Sequence, residues 1–511
     1  MARKTILLIT TVLCGATLVA SSASAQTVPI SQQDYDNLKA RVQKLEQELA
    51  NKAAADADAH TRLSTLEQQV AYAPITYDNG RLTVASGDGR FQIAFPIRFQ
   101  VDFASYDPNH FGPATPAAQK DFASGAVVRR AYIGAEGRVY RDWWYEARFD
   151  FGGSSSEEDS GQIEHLRIAY MGIPNFRINV GVIEPVFVLD NSTSNADLTF
   201  IERSDISNII TGSYGGSDFR RGIELNYQKT DLFRPGDNFS LSGTFSGQTT
   251  QNNVSPPTDH GTDEGTQILG RGTYRLYSDS DTNIQIGVDG AEILSLTGAA
   301  TPGGPRTIQF RDRPETREGL EGQRLVDTGA IPATGGWTYG FEGGANWKNF
   351  YMASEYYKFG ADRDSNCTGC ANVAGNPEFA GWYVQGSWVV TGEAKSYAPT
   401  STSNGYAVWG QPQVVTPFSL AGGTWGAWEV AARYSDLDLN WNAGSAGAST
   451  PAGGIRGGDE KIWTLGLNWY PNRNVRMLLD YQSIDVSRLT STGAQQGQRL
   501  SDVGLRLQLN I

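Results

Sequence analysis

Arginines recur along this chain at positions that alternate with apolar residues: Arg98, Arg130, Arg138, Arg148, Arg167, Arg220, Arg271, Arg275, Arg433, Arg476 and Arg506. A guanidinium stays protonated at physiological pH and grips oxyanions through a planar donor fork, so a row of them along one face would attract anions. The same faces carry Asp102, Glu136, Glu146, Asp150, Glu224, Asp289, Glu342, Glu355, Glu429, Asp480 and Asp502. Eleven charges of each sign leave two readings open, a charged path for solutes or cross-strand pairs that brace a wall.

Other chemistry is sparsely supplied. The histidines are His60, His110, His165 and His260, and none stands in a pattern that gives a nucleophile its base. The expectation is therefore not an enzyme, with no cofactor and no metal. Cys367 and Cys370, two residues apart with no nearby histidine, read as a small disulfide that braces a loop, or else as a free redox pair. The third cysteine, Cys14, lies in the leader described next.

Residues 1–25 read as a signal peptide. Arg3 and Lys4 precede an apolar run from Ile6 to Ala20, and Ala23-Ser24-Ala25 makes a small-residue cleavage site. Cleavage takes the formal charge of the 511-residue chain from −13 to −15, a sign that disfavours nucleic acid as a partner. Residues 26–73 then follow a seven-residue rhythm through Tyr35, Leu38, Val42, Leu45 and Leu49. It continues through Lys52, Asp56, Ala59, Leu63, Leu66 and Val70. This predicts a periplasmic coiled coil, the alternative being a single amphipathic helix, because Lys52 and Asp56 interrupt the seam. Pro74 ends the helix.

From residue 74 to 511 the period falls to two. In FQIAFPIRFQVDFAS, Ile93, Phe95, Ile97, Phe99, Val101 and Phe103 share one face while Arg98, Gln100 and Asp102 share the other. One face suits lipid and the other water, which predicts a transmembrane β-barrel. Rings at strand ends, Trp143, Trp144, Tyr170, Trp347, Trp382, Trp388, Trp463, Trp469 and Tyr470, suit interfacial girdles. Thr307–Asp312 leaves the count at sixteen or seventeen segments, and closure on an even number selects sixteen. Short turns at Arg141-Asp142, Pro174-Asn175 and Pro471-Asn472 belong on the periplasmic side. The long connections 185–218, 248–266, 299–336, 361–378 and 395–424 belong outside. The first of these carries apolar runs that a solvated loop would lack, so it reads as folded into the lumen as a constriction, with an outer lid as the alternative.

Six segments carry a family resemblance: GAVVRRAYIGAEGRVYRDWWYEARFDF, INVGVIEPVFVLDNSTSNADLTFIERS, IQFRDRPETREGLEGQRLVDTGAI, GWYVQGSWVVTGE, GAWEVAARYSDLDLN and TLGLNWYPNRNVRMLLDY. In order, over nearly the whole barrel region, they resemble the phosphate-selective porin O and P family. The resemblance implies a sixteen-stranded, trimeric porin in a Gram-negative outer membrane, its channel narrowed by an inward loop and lined by arginines, with lysines in phosphate-specific members. It also implies that the coil is an extension found in some members. Here the loop 185–218 holds no lysine and only Arg203, beside Asp190, Asp197, Glu202 and Asp205, and so departs from a phosphate site. The expectation is a homotrimeric passive channel for small anionic or hydrophilic solutes, phosphate or other oxyanions among them. The other reading is a structural tether or adhesin whose coil grips peptidoglycan or a periplasmic partner while the barrel serves as its anchor.

Overall fold

The computed structural model describes residues 31–71, 75–78, 81–107, 122–153, 162–214, 219–249, 264–297, 304–316, 324–364, 375–400 and 406–511. Cys367 and Cys370 lie outside them. The chain divides into two compact units, residues 1–70 and 71–511. In the first, α1 (Gln32–Ala71) starts where the Ser31 hydroxyl accepts the Asp34 N–H at 3.1 Å, an N-cap. Tyr35, Leu38, Val42, Leu45 and Leu49 stand exposed on it.

The second unit is a closed antiparallel barrel. Its strands are β1 (Ile97–Asp107), β2 (Gly125–Val139), β3 (Trp143–Asp150), β4 (Gln162–Tyr170), β5 (Phe176–Ile183), β6 (Arg220–Thr230), β7 (Asn238–Thr249) and β8 (Thr266–Ser278). They continue as β9 (Thr282–Ser295), β10 (Ile331–Trp347), β11 (Phe350–Arg363), β12 (Glu378–Val389), β13 (Ala427–Trp441), β14 (Ile455–Tyr470), β15 (Val475–Ser487) and β16 (Gln498–Asn510). Each pairs with the next, and β16 pairs back onto β1 from Asn510 opposite Arg98 to Ser501 opposite Asp107, so no edge is left open. The count is sixteen. Thr307–Ile308 only borders β10, and Arg311–Asp312 pairs with Val326–Asp327 in a separate short ladder.

Alternation holds within each strand. On β1, Arg98, Gln100 and Asp102 are buried inside while Phe99 and Phe103 are exposed outside. Two bulges break it usefully. Between Gln100 and Val101 the register on β2 skips a residue, which turns both Arg129 and Arg130 inward. A second bulge opposite Arg148 and Phe149 does the same for Glu164 and His165 on β4.

Below β1 the wall continues through a short strand, Phe91–Ala94, which still pairs with β2. Its other edge is taken by Arg81–Ala85, which in turn pairs with Ile75–Asp78. The change of partner falls at Pro96, which has no N–H for a ladder. One residue later, Ile97 and Ile511 exchange backbone hydrogen bonds of 2.9 and 2.8 Å.

Turns at 140–142, 171–175, 231–237, 279–281, 348–349 and 471–474 share one end of the barrel. Tyr140 and Arg141 both have positive φ, 51° and 67°, the geometry of a tight hairpin that matches strand twist. Strand parity places 390–426 at this same end, so the 395–424 connection expected outside lies on the short-turn side. Its length misled because it folds back into the lumen as the hairpin Lys395–Ala398 with Val408–Pro412. Two expected girdle rings also face inward: Trp144 is buried beneath arginines, and the Tyr470 hydroxyl donates to Glu429 at 2.6 Å. Strand alternation overrides their position near a turn. The other aromatic pairs on the outside include Trp143 with Tyr170 at 4.9 Å and Phe350 with Trp388 at 5.9 Å.

Candidate functional site: an arginine eyelet within the barrel

After β5, residues 184–214 run inside the barrel. They contain α2 (Leu189–Ser192) and α3 (Asp205–Tyr214), and their apolar residues Phe187, Val188, Leu189, Phe200, Ile201, Ile206 and Ile210 are all buried. Ile206, Ile209, Ile210 and Tyr214 pack among wall residues such as Tyr357, Phe359, Tyr383 and Leu437. On β14, Gly466 leaves the Phe200 ring room to lie against the wall: a Cβ there would stand 3.1 Å from it.

Wall carboxylates hold the loop by its main chain. Glu224 accepts the Val186 N–H at 2.7 Å, Asp289 the Val188 N–H at 3.1 Å, Glu355 those of Leu189 and Asp190, and Asp480 that of Ile201 at 2.7 Å. Wall donors take its carbonyls. Arg433 reaches Glu202 O at 3.1 Å, Arg476 reaches Ala196 O at 3.1 Å, and Arg506 reaches Ile201 O. Many of the wall charges therefore hold the loop as well as one another. A hydrogen bond to a charged group contributes about 1.5–3 kcal/mol. These bonds also hold Val188 at φ 68°, a conformation β-branched residues avoid.

Charged pairs account for much of the remaining ledger. Arg271 grips Glu342 through two bonds of 2.8 Å and also donates to Tyr406 O and Ala407 O of the lumen hairpin. Arg506 pairs with Asp102 and Glu202, Arg433 with Glu315, and Arg129 with Glu202. Arg220 donates to Gly212 O and Gly247 O, and Arg275 to Asn283 at 3.1 Å beside the Tyr397 ring. Arg130 donates to Gln100 at 2.9 Å, and Arg138 lies half-buried near the periplasmic end of β2, opposite Gln92.

What remains converges at one level. A cavity of about 20 Å³ is lined by Arg98, Arg148, Arg167, Arg177 and Arg203, against the two carboxylates of Glu184 and Glu224. Space of that size holds roughly one or two waters. Arg98 hydrogen-bonds Asn510 at 3.0 Å and Ser194 at 3.2 Å, both neutral partners. Arg98 and Arg148 both lie over Tyr132, at 5.3 and 5.7 Å from its ring centre, while Arg167 and Arg177 flank Trp144 at 5.0 and 4.9 Å. Ring faces hold guanidiniums in place without neutralising them. Arg167 is further fixed by Glu146 at 2.7 and 2.9 Å, and Arg148 by the same carboxylate. Arg203 ties the loop to itself through the carbonyls of Asp190, Asn191 and Thr193.

The other loop residues expected at the site are placed as follows. Asp190 accepts the Ser204 N–H at 3.0 Å, and Glu202 accepts Arg129 and Arg506, each at 2.8 Å. Asp197 has its carboxyl pushed up by burial, opposed by the nearby Arg98 guanidinium. Burial likewise raises Glu184, against Arg203. Arg177 and Arg129 were not anticipated. Arg177 was legible, since Phe176, Ile178 and Val180 alternate with it, whereas Arg129 points inward only because of the bulge.

Larger cavities open on either side. One of about 530 Å³ lies on the long-loop side, lined among others by Arg129, Arg130, Arg311, Arg313 and Arg324. One of about 750 Å³ lies at the short-turn end, lined by Arg81, Glu136, Gln411, Arg473 and Ile511. Among the described residues, Asp289, Glu342 and Glu355 bring carboxylate oxygens within 4.8 Å of one another, a spacing a cation could bridge. Each is already engaged: Asp289 by Val188 and Tyr357, Glu342 by Arg271, Glu355 by Leu189, Asp190, Tyr357 and Tyr383. They serve as loop anchors. His165 is buried against Phe219, ring centres 4.8 Å apart, with its Nδ1 3.9 Å from Glu146, and no nucleophile is aligned with it among the described residues.

The chain is similar to several known proteins. Solved structures of an anion-selective porin from Comamonas acidovorans and of OmpT from Vibrio cholerae are similar at 10% identity each. They cover 82% of this chain and 100% and 99% of their own, with TM-scores of 0.46 and 0.43. Porin O of Pseudomonas aeruginosa is 22% identical over 434 residues, 81% of this chain and 87% of that protein. The profile described as phosphate-selective porin O and P matches residues 93–511. The chain is thus an outer-membrane β-barrel porin and belongs to the phosphate-selective porin O and P family.

Proposed function

We propose that the protein is a passive channel with a preference for small anions, narrowed by the 184–214 loop. The observation that carries this reading is the lining of the small cavity beside the loop, where five guanidiniums face two carboxylates, with Glu146 behind Arg148 and Arg167. Over the whole wall the charges cancel, but a permeating ion meets them in sequence, and the eyelet is where it sheds water. Fixed positive charge in a confined, low-dielectric passage lowers the barrier for anions and raises it for cations. The family model that matches the chain is described as phosphate-selective, and the oxyanion-matching geometry of the arginine fork supports phosphate or a similar oxyanion as a solute here.

The reading extends to assembly. A homotrimer in the outer membrane, export by cleavage after residue 25, a coiled coil over 26–73 and a Cys367–Cys370 disulfide are parts of the same proposal. The exposed stripe Tyr35, Leu38, Val42, Leu45 and Leu49 on α1 supports the coil. The large polar cavities above and below the eyelet favour transport over the tether reading.

A reversal potential measured across a planar bilayer in a tenfold salt gradient tests the function. Anion preference is expected; equal or greater cation permeability rejects it. Adding phosphate to one side should reduce chloride current if oxyanions dwell at the eyelet.

A further inference from the structure

From Ser396 to Trp428 the chain carries no charged side chain, and the residues that bracket this stretch, Lys395 and Glu429, form an ion pair at 3.0 Å. The stretch leaves and returns at the short-turn end of the barrel. Its first part is the lumen hairpin. Its second part, residues 415–426, lies outside the wall, because the Phe418 ring packs at 5.3 Å on Trp469, an outward residue of β14 that also stacks on the outward Trp428 at 5.6 Å. The Phe418 N–H donates to Pro471 O at 2.7 Å, and the Trp469 indole N–H to Trp425 O at 2.7 Å.

This finger presents apolar groups outward: Val415, Leu420 and Trp425 are 78%, 79% and 63% exposed. The turns around it at the same rim carry charge, such as Arg141 and Asp142, Asp231 and Arg234, Asp279 and Asp281, or Lys348. The tip also closes its own hydrogen bonds. Ser419 and Thr424 exchange N–H to carbonyl bonds of 3.0 and 3.1 Å, the Thr424 hydroxyl donates to Pro417 O at 2.6 Å, and the Gly422 N–H donates to the Ser419 hydroxyl at 3.1 Å. Pairing these groups within the tip lowers the cost of bringing it into an apolar phase.

We infer that residues 415–426 are a membrane anchor, which inserts Val415, Phe418, Leu420 and Trp425 into the phospholipid leaflet on the periplasmic side. The surface is continuous with the lipid-facing band of β13 and β14, where Val430, Trp463 and Leu465 are exposed. Its lack of charge matches a neutral lipid surface rather than a polar protein partner, and its tryptophan suits the headgroup level. Because the finger and the lumen hairpin belong to one segment pinned at both ends, the leaflet would hold the hairpin from outside the barrel.

The test reconstitutes the full-length protein and its Trp425→Phe variant in phosphatidylcholine vesicles and isolates the Trp425 emission by difference. Lipid brominated just beneath the headgroups should quench that emission at least twofold, and aqueous acrylamide should leave it nearly unchanged. Quenching by acrylamide but not by brominated lipid would put the finger in water and overturn the inference. Quenching by neither would put it against another protein chain and overturn it equally. If the variant fails to fold, a nitroxide on Leu420→Cys in a Cys367→Ser, Cys370→Ser background reads the same depth. Preferential collision with oxygen supports insertion, and preferential collision with a water-soluble nickel chelate rejects it.

Discussion

Glu355, on the inner face of β11, accepts the main-chain N–H of Leu189 at 2.7 Å. The same carboxylate takes the Asp190 N–H at 3.1 Å and the Tyr383 hydroxyl at 2.7 Å, so one buried side chain fixes the turn at which α2 begins. Replacing it with Ala should leave the two main-chain N–H groups and the Tyr383 hydroxyl without this acceptor, at a cost of about 1–3 kcal/mol for each group left unsatisfied. The expected outcome is a channel that still inserts but shows greater open-channel noise and a larger mean conductance. Glu355→Gln, which keeps one acceptor oxygen, should fall between the two. Unchanged single-channel traces for both variants would mean that the loop is held by its apolar packing alone.

Arg98 and Arg148 share the Tyr132 ring at the eyelet, and Arg98 has Asn510 and Ser194 as hydrogen-bond partners. Arg98→Ala should shift the zero-current potential toward zero more than Glu342→Gln does, since Glu342 is taken up by Arg271. Arginine keeps its charge at and below neutral pH, while burial raises the Glu184 carboxyl of the same eyelet, so wild-type anion preference should hold or strengthen as pH falls from about 7 to about 5. A preference that weakens on acidification would move the selectivity filter to other groups.

Loop docking should also respond to pH. Asp205, at the start of α3, has its carboxyl pushed well above the usual range by burial and then by neighbouring Glu315, which receives the Asp205 N–H at 3.3 Å. The docked form therefore binds a proton that the undocked form releases near 3.8, the ordinary value for an aspartate. Docking is most favourable below that value and weakens as pH rises toward the docked value, by up to about tenfold in equilibrium per pH unit. Hydrogen exchange at α3 amides, corrected for intrinsic rate, should lose protection as pH rises above the ordinary aspartate range in the wild type and much less in Asp205→Asn. Equal slopes in the two proteins would reject Asp205 as the source.

Deleting residues 26–73 should leave a heat-modifiable trimer on gels, with unchanged conductance per channel. Barrel walls with apolar outer faces associate through area that α1 does not contribute. A monomeric product would show instead that α1 holds the assembly.

Much of this molecule was legible from period-two alternation. FQIAFPIRFQVDFAS sorts into its two faces as read, and the strand count follows once Thr307–Asp312 is set aside as a loop ladder. Height along the barrel axis was not legible, because alternation assigns a face and register assigns a level. For that reason eleven arginines and eleven acids looked balanced, although Arg98, Arg148, Arg167 and Arg203 gather at one level with the unanticipated Arg177. Arg129 was hidden by a one-residue bulge. The 395–424 segment was assigned to the wrong side because length stood in for direction, and only strand parity gives direction.

The strand Arg81–Ala85 lies in line with β16, since both pair with the same edge of β1 and its continuation, and Ile511 stops opposite Ile97 where Leu82 begins to serve Phe95. That abutment is a register stop. A slip of β16 by one residue toward the periplasm would drive its end into a site the earlier strand already fills, and it would turn Arg506 and Asp502 outward toward lipid. The N-terminal hairpin can form as soon as residues 75–94 are available, so the position of the last strand is measured off before that strand arrives. Arg81 is pinned in turn to Glu136 of β2. Shortening the Arg81–Ala85 strand should therefore produce barrels that close in more than one alignment, a fault of assembly accuracy more than of stability.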